Sequence, residues 1–535
     1  MRSGAARLVA GVSLLLLLLG LSLKDYDSFQ LGTYQDDAKY VVLARSIAFA
    51  KPYSLSVGPG TPLPTGYPFV FPLLLAPFTK LFPDAPETMK VLSLVATLVS
   101  VSLLLWGWPL LSPTTSRWWG VGVAGCWAVA PNVVGQTRMV MSDALFTTFV
   151  LATLLLVEHC ARRGGRASGC SIALGLSMTL ALFTRTVGVV LCLAVMLRLC
   201  RLPGRRFLEH VVGILVGGAA VLVPVLLCTT VTPANLVPFR YLGTFRQPSV
   251  RGVDAAEDVL AVRFARGVRE YAQRQLREIV VPFGGGRRET AFGQGLGMSD
   301  LPSAIGLLVT GLVVLGCLSQ LFGGGLAPSV LLFEVPYVTA ILFWHYRSSR
   351  FLYPIQPFLL DQLFTGVGVL GARVLPRTAR AGRLGNVFVG GAFTVITCGA
   401  VYKDVQPADD SRQHARDFRV GTSWLKDHSA PDAVVMAQQS PAIHLYSDRR
   451  IVDYPAVRSA SELEQALRDL GVNYILVAPD LTWRVDVAPR YDDYTSGTFL
   501  PFVEALATAG KLTLVYESDP KDRVCIYRVE AMAAP

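Results

Sequence analysis

Apolar stretches close to membrane-spanning length recur along this chain, and they leave few fold classes open. A helix needs about 20 apolar residues to cross the hydrocarbon core of a bilayer. Such stretches lie at about 7–23, 90–111, 119–134, 144–158, 169–183, 187–197, 211–230, 301–321, 329–344, 351–371 and 385–402. With 52% hydrophobic and 16% charged residues over a length of 535, the chain is too apolar for a string of soluble domains, so its core forms in lipid. The expectation is a polytopic α-helical membrane protein, with about eleven transmembrane helices over 1–402 and a soluble α/β domain over 403–535. The first stretch reads as a signal anchor, because Leu21-Ser22-Leu23-Lys24 lacks the small-residue pattern of a cleavage site.

A net charge of +11 invites a nucleic-acid reading, but the basic residues sort by membrane side. If the amino terminus is cytoplasmic, the inner connections carry Arg2, Arg117, Arg162, Arg163, Arg166, Arg198, Arg201, Arg205, Arg206, Arg373, Arg377, Arg380 and Arg383 against one acid, Glu209. That is the positive-inside asymmetry. It excludes a nucleic-acid partner as the reason for the charge and turns 24–89, 135–143, 184–186, 231–300, 345–350 and everything after about 403 outward. The nine cysteines show neither a disulfide framework nor metal-ligand spacing, and read as small packing residues.

Two outer loops are long. The first, 24–89, carries Asp25, Asp27, Asp36 and Asp37, then a helical pattern at Val41, Leu43, Ala44, Ile47 and Ala48 that suits a helix lying on the membrane surface, then a Pro/Gly-rich stretch. The second, 231–300, places Arg251, Arg263, Arg266, Arg269, Arg274 and Arg277 on an amphipathic helix expected over about 254–280, followed by a mobile, anion-attracting GGGRRETAFGQG. From Asp404 the composition turns soluble. DAVVMAQQ, RRIVDYP, NYILVAP, LTLVYES and VCIYRVE have strand character, while SELEQALRDLG and TFLPFVEALATAG read as helices ending at Gly. The alternation predicts a small α/β domain.

Four outward clusters could carry chemistry. In Tyr34-Gln35-Asp36-Asp37-Ala38-Lys39-Tyr40, adjacent acids at a helix start suit a general base, a metal ligand or a binder of hydroxyl groups, and equally suit ordinary capping of exposed amides. Arg138 and Asp143 flank the outer start of a helix, where charge near the apolar zone is functional or forms an interhelical ion pair capped by Ser142. Arg185, in LFTRTVG, either anchors a helix break or meets an anion. His345, Arg347 and Arg350 open a helix on the outer face against the positive-inside trend. Guanidinium groups bind phosphate through two points, and they also snorkel to headgroups. If that turn is helical, Arg347 and Arg350 share a face.

Together these pieces resemble the C-type glycosyltransferase superfamily, in the branch that groups protein O-mannosyltransferases with the lipid A aminoarabinose transferases. The motifs are DDAKYVVLARSIAFAKPYSL, GYPFVFPLLLAP, SDALFT, LFTRTVGVV and SSRFLYPIQPFLL, in that order over about 1–370. The resemblance implies inverting transfer of a sugar from a polyprenyl phosphate to an acceptor (protein, lipid or glycan) outside the cytoplasm, in the bilayer of a bacterial inner membrane. Asp36 or Asp37 would be catalytic, Arg347, Arg350, Arg138 and Arg185 would hold the donor phosphate, and Lys39, Tyr40, Tyr67, Asp143 and His345 would line the substrate. No cofactor is implied with certainty, although an acidic pair is able to hold a divalent metal. The pair is Asp-Asp where the mannosyltransferases carry Asp-Glu, which leaves sugar and acceptor open. A lipid or sugar-lipid transporter should instead place charge at mid-membrane in two similar halves, and a noncatalytic scaffold gives no reason for the clustering.

Overall fold

A computed structural model describes residues 2–24, 26, 31–32, 36–55, 57–59, 65–83, 85–162, 168–236, 260–280, 301–344, 347–374, 390–398, 409–438, 440–478, 495–518 and 524–530. The chain forms two compact units. One comprises 1–26, 66–71 and 89–406, the other 27–65, 72–88 and 407–535.

The first unit is helical. Among the described residues five helices are long and apolar enough to cross a membrane: Gly4–Lys24, Pro86–Leu111, Ser142–Arg162, Gly204–Cys228 and Ser303–Gly323. Shorter apolar helices cover Val70–Leu81, Gly169–Thr184, Gly188–Leu199 and Pro328–Phe343. In chain order the first ten helices are α1 (Arg2–Lys24), α2 (Asp36–Ala48), α3 (Val70–Leu81), α4 (Lys90–Leu111), α5 (Arg117–Ala128), α6 (Pro131–Thr137), α7 (Ser142–Arg162), α8 (Ser168–Thr184), α9 (Gly188–Leu199) and α10 (Gly204–Cys228).

Differences from the sequence reading have local causes. The 119–134 stretch is two helices, since Pro131 brings no N–H to α5 and instead opens α6 at its first turn, where the lost donor costs nothing. The α3 helix was hidden by Pro72 and Pro77, which read as loop. The break at 184–186 stands, with α8 ending at Thr184 and α9 starting at Gly188. Cys160 and Cys170 are bonded to each other, contrary to the reading of every cysteine as a packing residue. The short connection between α7 and α8 returns their ends to one another, which a spacing of ten residues does not announce. The helical run expected over 254–280 is described from Leu260 to Val280. Arg263 and Arg277 are buried within it rather than turned outward. Arg251 and the GGGRRETAFGQG segment lie outside the described residues.

Interhelical polar contacts fasten the bundle. Glu158 accepts from Arg198 at 2.9 and 3.1 Å and from the Ser329 amide at 3.3 Å, joining three helices at one buried carboxylate. Thr153 and Ser177 hydroxyls meet at 2.9 Å, as do Ser100 and Thr148. In lipid such contacts contribute about 0.6–2 kcal/mol each. Helix α8 packs closely on α10. A Cβ at Gly217 would collide with Ile172 and Leu176 backbone, and one at Gly175 with Ile214 backbone. Gly217→Leu should therefore cost at least about 1–3 kcal/mol by overpacking, whereas Gly311→Leu, with open space around it, should melt like the parent in detergent. Equal melting of both variants would refute this close packing.

The second unit is built on a five-stranded sheet of order β2-β1-β3-β5-β4, with β1 Val434–Ala437, β2 Arg450–Val452, β3 Tyr474–Val477, β4 Leu512–Glu517 and β5 Cys525–Val529. The first three strands are parallel, and β5 runs antiparallel to both β3 and β4. Alternation along the strands feeds two cores. Val434, Met436, Ile475 and Val477 pack with Leu463, Leu467, Val503 and Leu506 of the helices Ala460–Asp469 and Leu500–Thr508. Val435, Ala437, Leu476 and Ile526 pack with Phe418, Leu425, Ala442 and Ile443 of the helices Asp409–His428 and Ser440–Ser447. Gly471 and Gly510 take φ of +61° and +73° just beyond the two predicted helices, the left-handed step that closes a helix end at little cost only for glycine.

That second core also contains Ala38 of α2, with Val57 packed against it. Much of α2 is buried, including Asp37, Tyr40, Val41, Val42, Leu43 and Ala44. The helix expected to lie on the membrane surface thus has its apolar side covered by protein. Arg45 donates to the Leu445 carbonyl at 3.4 Å, and the Ile451 amide donates to the Val57 carbonyl at 2.9 Å. Most of the first long loop, 27–65 and 72–88, belongs to the carboxy-terminal α/β unit.

Candidate active site

In the membrane unit the cationic residues converge on one aromatic ring. The guanidinium of Arg350 lies 5.0 Å from the Phe351 ring centroid and that of Arg185 lies 5.6 Å from the same centroid, within the range of cation–π attraction. Arg185 is ion-paired with Oδ1 of Asp143. Oδ2 of that carboxylate is buried without a hydrogen-bond partner, and so is Nε of Arg347. Arg185 and Arg350 thus share one ring beside a carboxylate, and Arg347, three residues before Arg350, keeps a buried donor open, an arrangement that favours an anion with several acceptor oxygens.

The segment that carries Arg347 and Arg350 is held by its backbone and by deep aromatic anchors. Residues Ser349–Leu352 form a tight 3-10 turn capped by the Ser348 hydroxyl, which accepts from the Arg350 amide at 3.4 Å. Tyr337 donates to the Phe351 carbonyl at 2.8 Å and Tyr271 to the Ser348 carbonyl at 3.5 Å. Burial pushes the Tyr271 phenol up to about 12, keeping it a donor. Tyr353, fully buried, shares a 3.0 Å hydrogen bond with Thr97 and packs on Trp127 at 5.3 Å between centroids. The regular helix begins only at Gln356, after Pro354. Arg347 therefore precedes the turn, and the shared α-helical face expected for Arg347 and Arg350 does not form. Arg185 takes that place beside Arg350.

Arg138 is engaged elsewhere. It is buried and donates through Nε to the Ser22 carbonyl at 3.3 Å and through a terminal nitrogen to the Leu21 carbonyl, at the carbonyl end of α1 where a cation is favoured. The partner of Asp143 is thus Arg185, 42 residues on, rather than Arg138. Tyr67 is half-buried in the same unit, and His345 lies outside the described residues.

In the α/β unit the two acids are unlike each other. Asp37 is buried, accepting from the Gly32 amide at 2.9 Å through Oδ2 and from the Ala38 amide at 2.8 Å through Oδ1. Gly32 reaches that position with φ of +102°, open to glycine. Asp36 keeps 24% of its side chain exposed and pairs with Lys39 at 3.4 Å. Tyr40 is buried. Of the pair, Asp36 is the more exposed. Sequence reasoning found the motifs but not Phe351, Tyr337 or Tyr271. Phe351 was signalled by its place beside Arg350, whereas the tyrosines reach the turn through tertiary structure and gave no signal.

The family model for dolichyl-phosphate-mannose-protein mannosyltransferases matches residues 67–228. Among solved structures, the apo oligosaccharyltransferase of Archaeoglobus fulgidus superposes with a TM-score of 0.57 at 10% identity, covering 88% of this chain and 69% of that one. ArnT from Cupriavidus metallidurans, solved with undecaprenyl phosphate, gives 0.51 at 12% identity over 98% of this chain and 99% of that one. The fold is that of the C-type glycosyltransferases. A mycobacterial arabinofuranosyltransferase, AftD, gives 0.50 at 13% identity over 99% of this chain and 42% of that one. No curated protein matches the sequence. The expected resemblance holds: the family model and these structures are all of this superfamily. The chain is an integral membrane protein by its apolar helices and this fold. Among the described residues no group of three or more His, Cys, Asp or Glu side chains could hold a metal ion.

Proposed function

We propose that the protein is a membrane glycosyltransferase that moves a sugar from a polyprenyl phosphate to a hydroxyl acceptor outside the cytoplasm, with inversion. The observation that carries this reading is the pair of Arg185 and Arg350 on the Phe351 ring, with a buried guanidinium nitrogen of Arg347, three residues before Arg350, left open. ArnT, which shares the fold, was solved with undecaprenyl phosphate.

In the proposed reaction the acceptor hydroxyl attacks the anomeric carbon as the bond from that carbon to the donor phosphate oxygen breaks. Asp36 accepts the hydroxyl proton, and the released polyprenyl phosphate keeps the bonding electrons, its added charge neutralised by the three guanidinium groups. Asp143 orients Arg185. About eleven spans, a cytoplasmic amino terminus, an outward carboxy-terminal domain from about 403 and a bacterial inner membrane complete the reading, and the arginine asymmetry of the loops supports that orientation.

Purified protein in detergent should release polyprenyl phosphate from at least one member of a panel of hexosyl and pentosyl polyprenyl phosphates when acceptor glycans, lipids or peptides are supplied. Release with the sugar appearing on an acceptor supports transfer and names the sugar class. Donor flipping across vesicles without any release would identify a transporter instead. Neither release nor movement would leave a scaffold.

A further inference from the structure

The side chain of Tyr446 ties the acid-bearing turn to the carboxy-terminal α/β fold. Tyr446, on the helix Ser440–Ser447, directs its hydroxyl at the Leu31 carbonyl at 3.2 Å and at Oε1 of Glu87 at 3.4 Å. The same Glu87 oxygen accepts from the Leu31 amide at 3.4 Å. Leu31 is thus gripped at both backbone groups. The next residue, Gly32, donates its amide to Asp37, the immediate neighbour of Asp36. Below this turn Arg45 reaches the Leu445 carbonyl, the residue before Tyr446, and the Arg419 guanidinium lies 5.6 Å from the Tyr446 ring centroid. Burial, with Glu87 alongside, holds the phenol well above its ordinary range, so the hydroxyl stays protonated as a donor.

We propose that Tyr446 is a positioning residue for the transfer reaction, holding the Leu31–Gly32 turn and through Asp37 the start of α2, so that Asp36 is fixed where it can accept a proton. The carboxy-terminal domain is on this account part of the catalytic apparatus and not an appended acceptor-binding module. The proposal rests on the assignment of Asp36 as base.

Geometry of this kind has a kinetic signature. Displacing a catalytic group by about 1 Å can cost up to about 100-fold in rate while donor binding, made by other residues, is untouched. Tyr446→Phe in the full-length protein removes the hydroxyl and keeps the ring on its neighbours. Expected is a fall in kcat of about 10-fold or more, with donor KM and melting temperature close to the parent. Tyr474→Phe is the control, because its hydroxyl makes only a 3.4 Å contact to the exposed His428 carbonyl.

The deciding measurement is the double variant with Asp36→Asn. If Tyr446 acts through Asp36, the double variant transfers no more slowly than Asp36→Asn alone, since groups acting as one unit are not additive. Additive losses, or parent-like kcat in Tyr446→Phe, overturn the tether and leave the base assignment standing. A drop in melting temperature that accounts for the lost activity also overturns it, because the role is then only structural. Parent-like transfer by Asp36→Asn overturns the base assignment itself, and the tether with it.

Discussion

Asp36→Asn should abolish sugar transfer, lowering kcat by about 10²–10⁴-fold as expected for loss of a positioned base, while the protein melts as the parent does. The side chain is partly exposed and pairs with the neighbouring Lys39, and asparagine keeps its size and shape, so exchanging one oxygen for an amide disturbs little packing. Asp37→Asn should behave in the opposite way. Its two oxygens accept from two backbone amides in a buried turn, and an amide side chain offers one acceptor where two are needed. Hydrogen bonds to a charged group contribute about 1.5–3 kcal/mol, so the melting temperature should fall, with activity per folded molecule remaining above that of Asp36→Asn. Thermal melting and turnover measured on the same preparations decide between them. If Asp37→Asn is stable and inactive while Asp36→Asn transfers normally, the two roles are exchanged.

Arg350→Lys should weaken use of the donor by about 10–100-fold in kcat/KM, the equivalent of about 1.4–2.8 kcal/mol. Lysine keeps the charge but lacks the planar fork, and it stacks less well on the Phe351 ring. A residue that only reaches for lipid headgroups would tolerate lysine. The measurement is donor-dependent turnover at saturating acceptor for Arg350→Lys, Arg347→Lys and Arg185→Lys. Arg185→Lys should also disturb Asp143, whose ion pair is buried, and should therefore lower stability as well. If all three match the parent, the phosphate is held by other groups and the cluster is an anchor.

The elements that were legible in the sequence are those specified locally. Apolar runs set most of the long helices within a few residues, short runs of strand character marked the five strands of the sheet, and Gly471 and Gly510 marked two helix ends. Prolines misled in both directions. Pro131 cut a predicted span in two, and Pro72 and Pro77 concealed α3. Long-range pairing was not legible. Nothing near Asp143 indicated Arg185 rather than Arg138 as its partner. The pattern over 41–48 was a sound helix signal, but an apolar stripe does not say whether lipid or protein covers it. The helices Asp409–His428 and Ser440–Ser447, which supply part of that cover, lacked a strong enough pattern to be anticipated. The sequence motifs brought these residues to attention, while the difference in burial between Asp36 and Asp37 could be seen only in the folded chain.

The position of Ala38 in the core beneath β1 and β3 bears on how this chain is made. The contacts that fasten the acid-bearing turn join residues 400 and 415 apart in sequence. A ribosome releases α2 long before it has synthesised the strands and helices that help to bury it, so the turn forms first with its own partners Glu87 and Asp37 and gains the Tyr446 hydroxyl only after residues beyond 407 have emerged. A chain truncated before that point would carry every arginine of the membrane unit and still lack the side chain proposed to hold the acidic pair in place.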